Sequence, residues 1–275
     1  MVVVCGEYGL SVLIVGYITI IMKALMINIY NKSSESMNEL PDESVHLIVT
    51  SPPYNCDVQY DYYKDSQDFN DYLSMLNKVW SECDRILVPG GRICVNVAHG
   101  IGRKPYQPLG AYITIQIEQI FDLRGVIVWQ KGYTANSTAW GSWRSPADPS
   151  LRDTCELIVV ANKQGLFSID SLIQEDNRKV SPWLDRDTFM ELTLDHWFVH
   201  PETKRSAHPA PFPVEIPARL AKLYAFPGAT VVDPFAGSGS TGMACKLLGM
   251  DCHLYDVDPG YCNVMKNRLS QEVMF

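Results

Sequence analysis

The sequence predicts an α/β fold in which a mostly parallel β-sheet is covered by helices. Short, apolar and β-branched runs such as Val45–Thr50 have the composition of buried strands. They alternate with longer segments whose apolar residues recur at helical spacing, as in residues 68–87. This alternation is typical of parallel sheets, because a crossover between parallel strands needs a connection of helix length.

The elements follow this alternation along most of the chain. Pro89-Gly90-Gly91 should end the first long helix, since proline and glycine both disfavour its continuation. The other predicted elements are the strands Met26–Tyr30, Arg92–Val97, Gly125–Gln130, Glu156–Ala161, Thr230–Asp233 and Asp251–Val257, and helices near 108–121, 214–225, 240 onward and 260–270.

Two segments interrupt the pattern. Residues 163–207 are polar without a sustained period, and we interpret them as an insert. Residues 8–22 are uncharged, but they are shorter than the ~20 residues of a membrane span and lack the basic start of a signal peptide. We expect residues 1–25 to be an apolar extension, which a misplaced start codon would explain, before a single domain over 26–275. Membrane association is not expected.

Composition narrows the class of protein. The chain has 275 residues, of which 47% are hydrophobic, so a sizeable core can form. The formal net charge of -8 disfavours phosphate binding, although a local basic face can lie on an acidic protein. The eight cysteines show no C-x-x-C spacing, and His196 and His200 lack the glutamate of H-E-x-x-H, so no metal site is predicted. Free thiols fit a cytoplasmic location.

A glycine-rich turn lies between a predicted strand and a predicted helix. Gly237, Gly239 and Gly242 fit the pattern G-x-G-x-x-G, and Asp256 follows at the end of the next strand. Glycines let the backbone approach a ligand closely, and an acid at that strand end can bind ribose hydroxyls. The spacing fits a nicotinamide dinucleotide or another adenosine-containing cofactor, and a purely structural turn stays open.

A Ser51-Pro52-Pro53-Tyr54 loop directly follows the buried strand Val45–Thr50. Open α/β sheets bind ligands at the carboxyl ends of their strands. The prolines remove two donors, which leaves the Ser51 hydroxyl and the Pro52 carbonyl as acceptors. Two acceptors suit a planar exocyclic amine, and the Tyr54 ring offers a face for stacking a base. The alternative is a rigid loop with Tyr54 in the core.

Together the two loops resemble those of the amino-methyltransferases of restriction–modification systems, which methylate adenine N6 or cytosine N4. That family carries a (Ser/Asp/Asn)-Pro-Pro-(Tyr/Phe) loop and a Phe-x-Gly-x-Gly loop, which match Ser51–Tyr54 and Phe235–Gly239. Their order resembles the circularly permuted β group. His208–Pro213 and Tyr255–Pro259 also resemble family segments, with Asp256 in place of the usual glutamate, and the resemblance covers about residues 26–270.

The resemblance implies an S-adenosylmethionine-dependent methyltransferase with a Rossmann-like fold of seven strands, the last antiparallel, and a target-recognition insert at 163–207. It implies direct methyl transfer to the exocyclic amine of a flipped base in double-stranded DNA without a metal. It also allows a cognate restriction endonuclease as a partner. The serine in the loop favours cytosine N4 over adenine N6. A nicotinamide-dependent oxidoreductase and an inactive DNA-binding relic are the rival classes.

The resemblance also implies roles for single residues. The catalytic residues would be Ser51, Pro52, Pro53 and Tyr54. The cofactor-binding residues would be Pro211, Phe212, Asp233, Phe235, Gly237, Gly239, Thr241 and Asp256. Residues 123–147 contain three basic residues, several aromatic residues and no acid, which suits a DNA-facing surface. The expected DNA contacts are Lys131, Tyr133, Trp140, Trp143 and Arg144, whereas Trp129 is expected in the core.

Overall fold

The computed structural model describes residues 25–56, 65–102, 105–132, 141–142, 144–165, 184–201 and 212–271, and the backbone of two strands near the N-terminus. These two strands, β1 (Ser11–Val15) and β2 (Ile18–Met22), pair antiparallel in a sheet of their own. Among the described residues, no helix combines the length and the apolar character needed to cross a membrane.

The central sheet has eight strands in the described part of the chain. They are β3 (Ile27–Asn31), β4 (Val45–Thr50), β5 (Leu87–Ala98), β6 (Asp122–Gln130), β7 (Cys155–Asn162), β8 (His196–Phe198), β9 (Thr230–Asp233) and β10 (Asp251–Asp256). Their order across the sheet is β3-β10-β9-β4-β5-β7-β6-β8. Strand β7 runs antiparallel to both of its neighbours, and the other described pairs are parallel.

Helices cover the sheet, and an apolar cluster lies on each of its faces. The helices are α1 (Phe69–Ile86), α2 (Leu109–Glu118), α3 (Arg186–Leu192), α4 (Glu215–Tyr224), α5 (Ser240–Leu248) and α6 (Pro259–Ser270). In β4, Leu47 and Val49 belong to one cluster and Ile48 to the other, because successive strand residues point to opposite faces. Asp68 caps α1 by accepting from the backbone N–H groups of Asn70 and Asp71.

The sheet has one strand more than the seven predicted. The additional strand, β8, lies with α3 inside the segment predicted as an insert, residues 163–207. Trp197 of β8 is 2% exposed, and the indole N–H of Trp129 donates to the Val199 carbonyl at 2.8 Å. Residues 186–199 are therefore joined to the sheet. Trp129 is buried, as expected.

The predicted turn Pro89-Gly90-Gly91 is also different in the structure. Helix α1 ends at Ile86, but the chain passes directly into β5, so these residues lie within the strand. The pairing of β4 with β5 shifts register here, and the extra residues form an irregularity of the ladder. Gly90 adopts the left-handed φ of 75° that this irregularity requires.

The centre of the sheet contains a topological switch point between β9 and β4. From β9 the chain continues to β10 on one side, whereas from β4 it continues to β5 on the other. Such a reversal opens a crevice at the carboxyl ends of the two strands, which is where open α/β sheets bind their ligands. The Ser-Pro-Pro-Tyr loop follows β4 and the glycine turn follows β9, so both loops lie at this crevice.

Candidate active site at the sheet switch point

One buried carboxylate joins the two loops. Asp233 ends β9, is 3% exposed, and accepts from Thr50 Oγ1 at 2.7 Å and from Thr241 Oγ1 at 2.6 Å. The backbone N–H of Phe235 also donates to it at 3.0 Å. Burial outweighs these hydrogen bonds and raises the pKa of Asp233 to about 6. The Asp233 and Thr241 side chains therefore support the turn from within the core, and their place in the cofactor site stays a prediction.

The glycine turn has a backbone that glycine adopts without strain. Gly237 and Gly239 have φ angles of 50° and 82°. The Gly237 N–H donates to Asp256 Oδ2 at 2.8 Å, and the Asp258 N–H donates to Oδ1 at 2.8 Å. Burial raises the pKa of Asp256, which is partly exposed at the end of β10. Each carboxylate oxygen can accept a further hydrogen bond, so Asp256 can still bind ligand hydroxyls.

The three aromatic and proline residues predicted at the cofactor have different surroundings. Phe235 is partly buried and lies edge-on to Trp80, with ring centroids 6.5 Å apart. Phe212 lies edge-on to Trp129 at the same centroid distance, against the apolar cluster that contains α4. Pro211 lies outside the described residues.

The Ser-Pro-Pro-Tyr loop is connected to two strands by a network of polar side chains. Ser51 Oγ lies 3.1 Å from Tyr54 Oη, and Tyr54 Oη donates to Glu156 Oε2 at 2.9 Å. Asn96 Nδ2 donates to Glu156 Oε2 at 2.5 Å and to Tyr54 Oη at 3.1 Å. The same nitrogen lies 3.4 Å from Ser51 Oγ. Lys131 forms an ion pair with Glu156 Oε1. We call these five residues the Glu156 network.

The Tyr54 hydroxyl lies inside the Glu156 network. Burial, reinforced by the negative charge of Glu156, raises the pKa of Tyr54 well above its usual value. The phenol therefore stays protonated and donates. The ring packs against one of the two apolar clusters. The structure thus gives the hydroxyl hydrogen-bond partners that the sequence did not indicate, whereas stacking of a base on the ring stays a prediction.

Further contacts hold the loop in place. Tyr72 of α1 donates to the Pro53 carbonyl at 2.7 Å. Asn55 has a left-handed φ of 55°, and its backbone N–H donates to Asp65 at 2.8 Å. The Cys56 N–H donates to the other oxygen of the same carboxylate at 3.0 Å. The backbone after Tyr54 is therefore fixed by a buried acid, and the prolines fix the backbone before it.

The predicted DNA contacts are only partly described. Lys131 belongs to the Glu156 network and lies over the Trp129 ring, 5.4 Å from its centroid, so its charge is already paired. Its contact with DNA stays a prediction. Arg144 is exposed, with a φ of 54°. The predicted contacts Tyr133, Trp140 and Trp143 lie outside the described residues.

Sequence reasoning missed three residues of the site, namely Thr50, Asn96 and Glu156. Asn96 interrupts the apolar run of β5 and Glu156 lies near the start of β7, and each is under 10% exposed. A polar residue inside a buried strand needs a partner, so this interruption was a usable signal. Within the described ranges, no three His, Cys, Asp or Glu side chains are grouped as metal ligands would be.

Comparison with known proteins identifies the class. The family model for N6 and N4 methyltransferases, described as DNA methylase, matches residues 45–267, which is most of the chain. The chain therefore belongs to this family of S-adenosylmethionine-dependent amino-methyltransferases of restriction–modification systems. Membership decides between the cofactors that the glycine spacing left open, in favour of S-adenosylmethionine over a nicotinamide dinucleotide.

Individual relatives agree with this assignment. The Type II methyltransferase M.MthZI of Methanothermobacter thermautotrophicus is 27% identical over 272 residues, covering 88% of this chain and 76% of the relative. A protein of Thermus thermophilus, assigned as a DNA modification methylase and solved with S-adenosyl-L-methionine, is 26% identical, with a TM-score of 0.69 and coverage of 90% and 93%. The cytosine-N4-specific PvuII DNA methyltransferase, 17% identical with a TM-score of 0.67 and coverage of 91% and 88%, shares the fold.

Proposed function

We propose that this DNA amino-methyltransferase modifies cytosine N4 within a specific sequence of double-stranded DNA, with adenine N6 as the alternative. The observation that carries the proposal is Ser51, a neutral acceptor at the first position of the loop. In the family, serine at this position is associated more often with cytosine N4 and aspartate with adenine N6. Both amines can donate two hydrogen bonds, so the chemistry of the loop does not distinguish the two bases. The proposal of cytosine therefore rests on the family association of serine with cytosine N4.

The loop can hold an exocyclic amine in a reactive geometry. We propose that Ser51 Oγ and the Pro52 carbonyl accept one amine hydrogen each and draw the nitrogen out of conjugation with its ring. S-adenosylmethionine, when bound, supplies a methyl group on a positive sulfur that needs no further activation. The protein then contributes orientation and exclusion of water, and no covalent enzyme intermediate forms.

The glycine turn and Asp256 are the proposed cofactor site. The positive φ angles of Gly237 and Gly239 leave the backbone open to a close approach, and Asp256 lies beside the turn with accepting capacity for ribose hydroxyls. The Thr50–Asp233 hydrogen bond of 2.7 Å supports the proposal, because it holds the turn beside the loop that receives the base.

The DNA-binding part of the chain is also a proposal, and it rests on the sequence pattern. We propose that target recognition comes from the part of residues 163–207 outside α3 and β8, and that Arg144 contacts the DNA backbone. Alanine at Arg144 should weaken binding to all DNA sequences to a similar extent, since a phosphate contact carries no sequence information.

Product analysis tests the proposed base. The purified enzyme methylates unmodified bacteriophage genomic DNA, which is digested to nucleosides and analysed by mass spectrometry. N4-methyldeoxycytidine is expected, and the Ser51→Ala protein should yield much less of it at equal cofactor binding. N6-methyldeoxyadenosine as the sole product would refute the cytosine assignment and leave the amino-methyltransferase class unchanged.

A further inference from the structure

The Tyr54 hydroxyl needs an explanation, because the loop pattern that it matches also accepts phenylalanine. Here the hydroxyl is enclosed between Ser51 Oγ at 3.1 Å and Glu156 Oε2 at 2.9 Å. Enclosing a hydroxyl is unfavourable unless its hydrogen bonds are made. The three oxygens, Ser51 Oγ, Tyr54 Oη and Glu156 Oε2, share a limited number of protons, and that number fixes the direction of each hydrogen bond.

Glu156 sets the direction of these hydrogen bonds. Paired with Lys131, this carboxylate can only accept, so the single Tyr54 proton must point at it. The raised pKa of Tyr54 keeps that proton in place. If Tyr54 donated to Ser51 instead, the 2.9 Å contact with Glu156 would join two acceptors without a proton. The proton between Ser51 and Tyr54 therefore comes from Ser51.

The amide of Asn96 reinforces this direction. Its Nδ2 donates to Glu156 and Tyr54, so its own orientation is set by the carboxylate. The flipped amide would place Oδ1 2.5 Å from Glu156 Oε2, which two acceptors cannot tolerate. The two Nδ2 protons of Asn96 are committed to Glu156 and Tyr54, and the Ser51 proton is committed to Tyr54. Ser51 Oγ therefore keeps unused acceptor capacity among the described residues.

We propose that Glu156 is a positioning residue that acts through Tyr54 to fix the Ser51 hydroxyl as an acceptor for the target amine. The inference rests on the proposed contact between Ser51 and that amine. A hydroxyl free to rotate would spend part of its time pointing its proton at the amine, where two donors face each other. The carboxylate, two side chains away from the base, thus determines which face Ser51 presents.

Double-mutant cycles test this chain of hydrogen bonds. The single-turnover rate of tritiated methyl transfer from S-adenosylmethionine to unmodified bacteriophage DNA is measured at saturating cofactor. Tyr54→Phe keeps the ring but removes the hydroxyl that links Ser51 to Glu156. Glu156→Gln introduces an amide donor, which can reverse the direction of the hydrogen bonds from Ser51 through Tyr54. Each should slow transfer about tenfold, since one neutral hydrogen bond is at stake. The cofactor Kd should change less than about twofold, because Asp256 and the glycine turn are untouched.

Double mutants distinguish a positioning role of Glu156 from a purely structural one. The Tyr54→Phe/Glu156→Gln protein should be no slower than Tyr54→Phe alone, and neither change should slow Ser51→Ala further, because the chain acts only through Ser51. The exposed Glu215→Gln serves as the matched control and should transfer at the normal rate.

Two results would overturn the inference. If Glu156→Gln slows transfer equally in the Tyr54→Phe and Ser51→Ala backgrounds, Glu156 acts through Lys131 or the fold. If it leaves the rate unchanged with Ser51 and Tyr54 intact, it has no positioning function. A Ser51→Ala protein with full turnover is a distinct result, because it refutes the proposed contact of Ser51 on which the inference rests. The identity of the methylated base affects none of these comparisons.

Discussion

At the scale of single residues, Asp256 and Asp233 are both acids at strand ends, but their carboxylates differ in accessibility. Asp256 accepts two backbone hydrogen bonds and is partly exposed, so it can bind ribose hydroxyls as well. Asp256→Ala should remove charge-assisted hydrogen bonds of about 1.5–3 kcal/mol and lower S-adenosylmethionine affinity roughly 10- to 150-fold. Calorimetric titration measures this, with the exposed Asp187→Ala as control. Unchanged affinity would mean that another group binds the ribose.

Asp233 should make stability depend on pH. Its pKa is about 6 in the folded protein, against an ordinary value of 3.8. Its contribution to stability is therefore complete below about pH 3.8 and is lost as the pH rises through 6. Asp233→Asn cannot titrate. The free energy of unfolding of the normal protein, relative to that of the variant, should therefore fall by up to about 3 kcal/mol between pH 4 and pH 7. Urea unfolding across this range measures the difference, and parallel pH profiles would contradict it.

The sequence indicated site residues that local patterns define, and it missed those that only the pairing of strands brings together. Ser51 and the turn glycines are recognisable from local patterns, because their function follows from loop backbone and side-chain type. The partners of Tyr54 depend on register between strands. Glu156 faces Ala98 across the β5–β7 ladder, which brings it beside Asn96, and no local pattern encodes that pairing.

At the scale of elements, strong periodicity predicted helices and buried strands closely. The helix expected near 214–225 is α4, Glu215–Tyr224, and the strand expected at Thr230–Asp233 is β9 with the same bounds. Strand β8 was missed because three residues are too few for a pattern. Two tertiary contacts stabilise β8: Trp197 packs in the core, and the backbone of β8 pairs with β6.

The packing of α5 on the sheet should depend on Gly242. A Cβ there would lie 2.6 Å from Leu254 Cδ1 of β10 and 3.1 Å from Leu269 Cδ1 of α6. Gly242→Ala should therefore destabilise the protein by about 1–3 kcal/mol despite the better helix propensity of alanine. Leu247→Ala, at an exposed position of the same helix, should cost about 0.5 kcal/mol or less. Thermal unfolding measures both, and a stabilised Gly242→Ala protein would show that the leucines can move away.

At the scale of the whole molecule, β3 is the strand at one edge of the central sheet. The Met26 N–H donates to Asp251 at 2.9 Å, and the Cys252 N–H donates to the Met26 carbonyl at 2.8 Å. A protein starting at Met26 keeps these bonds and places its terminal ammonium beside the Asp251 carboxylate. We expect it to unfold at a similar temperature and to bind S-adenosylmethionine within about twofold of the full chain. Loss of folding would show that residues 1–25 belong to the domain.

The Thr50–Asp233 contact constrains the lengths of β4 and β9. Adding or deleting one residue in β4 would turn the Thr50 side chain to the opposite face of the sheet, because strand side chains alternate. The hydrogen bond to Asp233 would then be lost even though every motif residue remained. The lengths of surface loops in such an enzyme can change during evolution. Selection should remove insertions and deletions in β4 and β9. The number of residues in these two strands thus fixes how the glycine turn and the Ser-Pro-Pro-Tyr loop lie relative to each other.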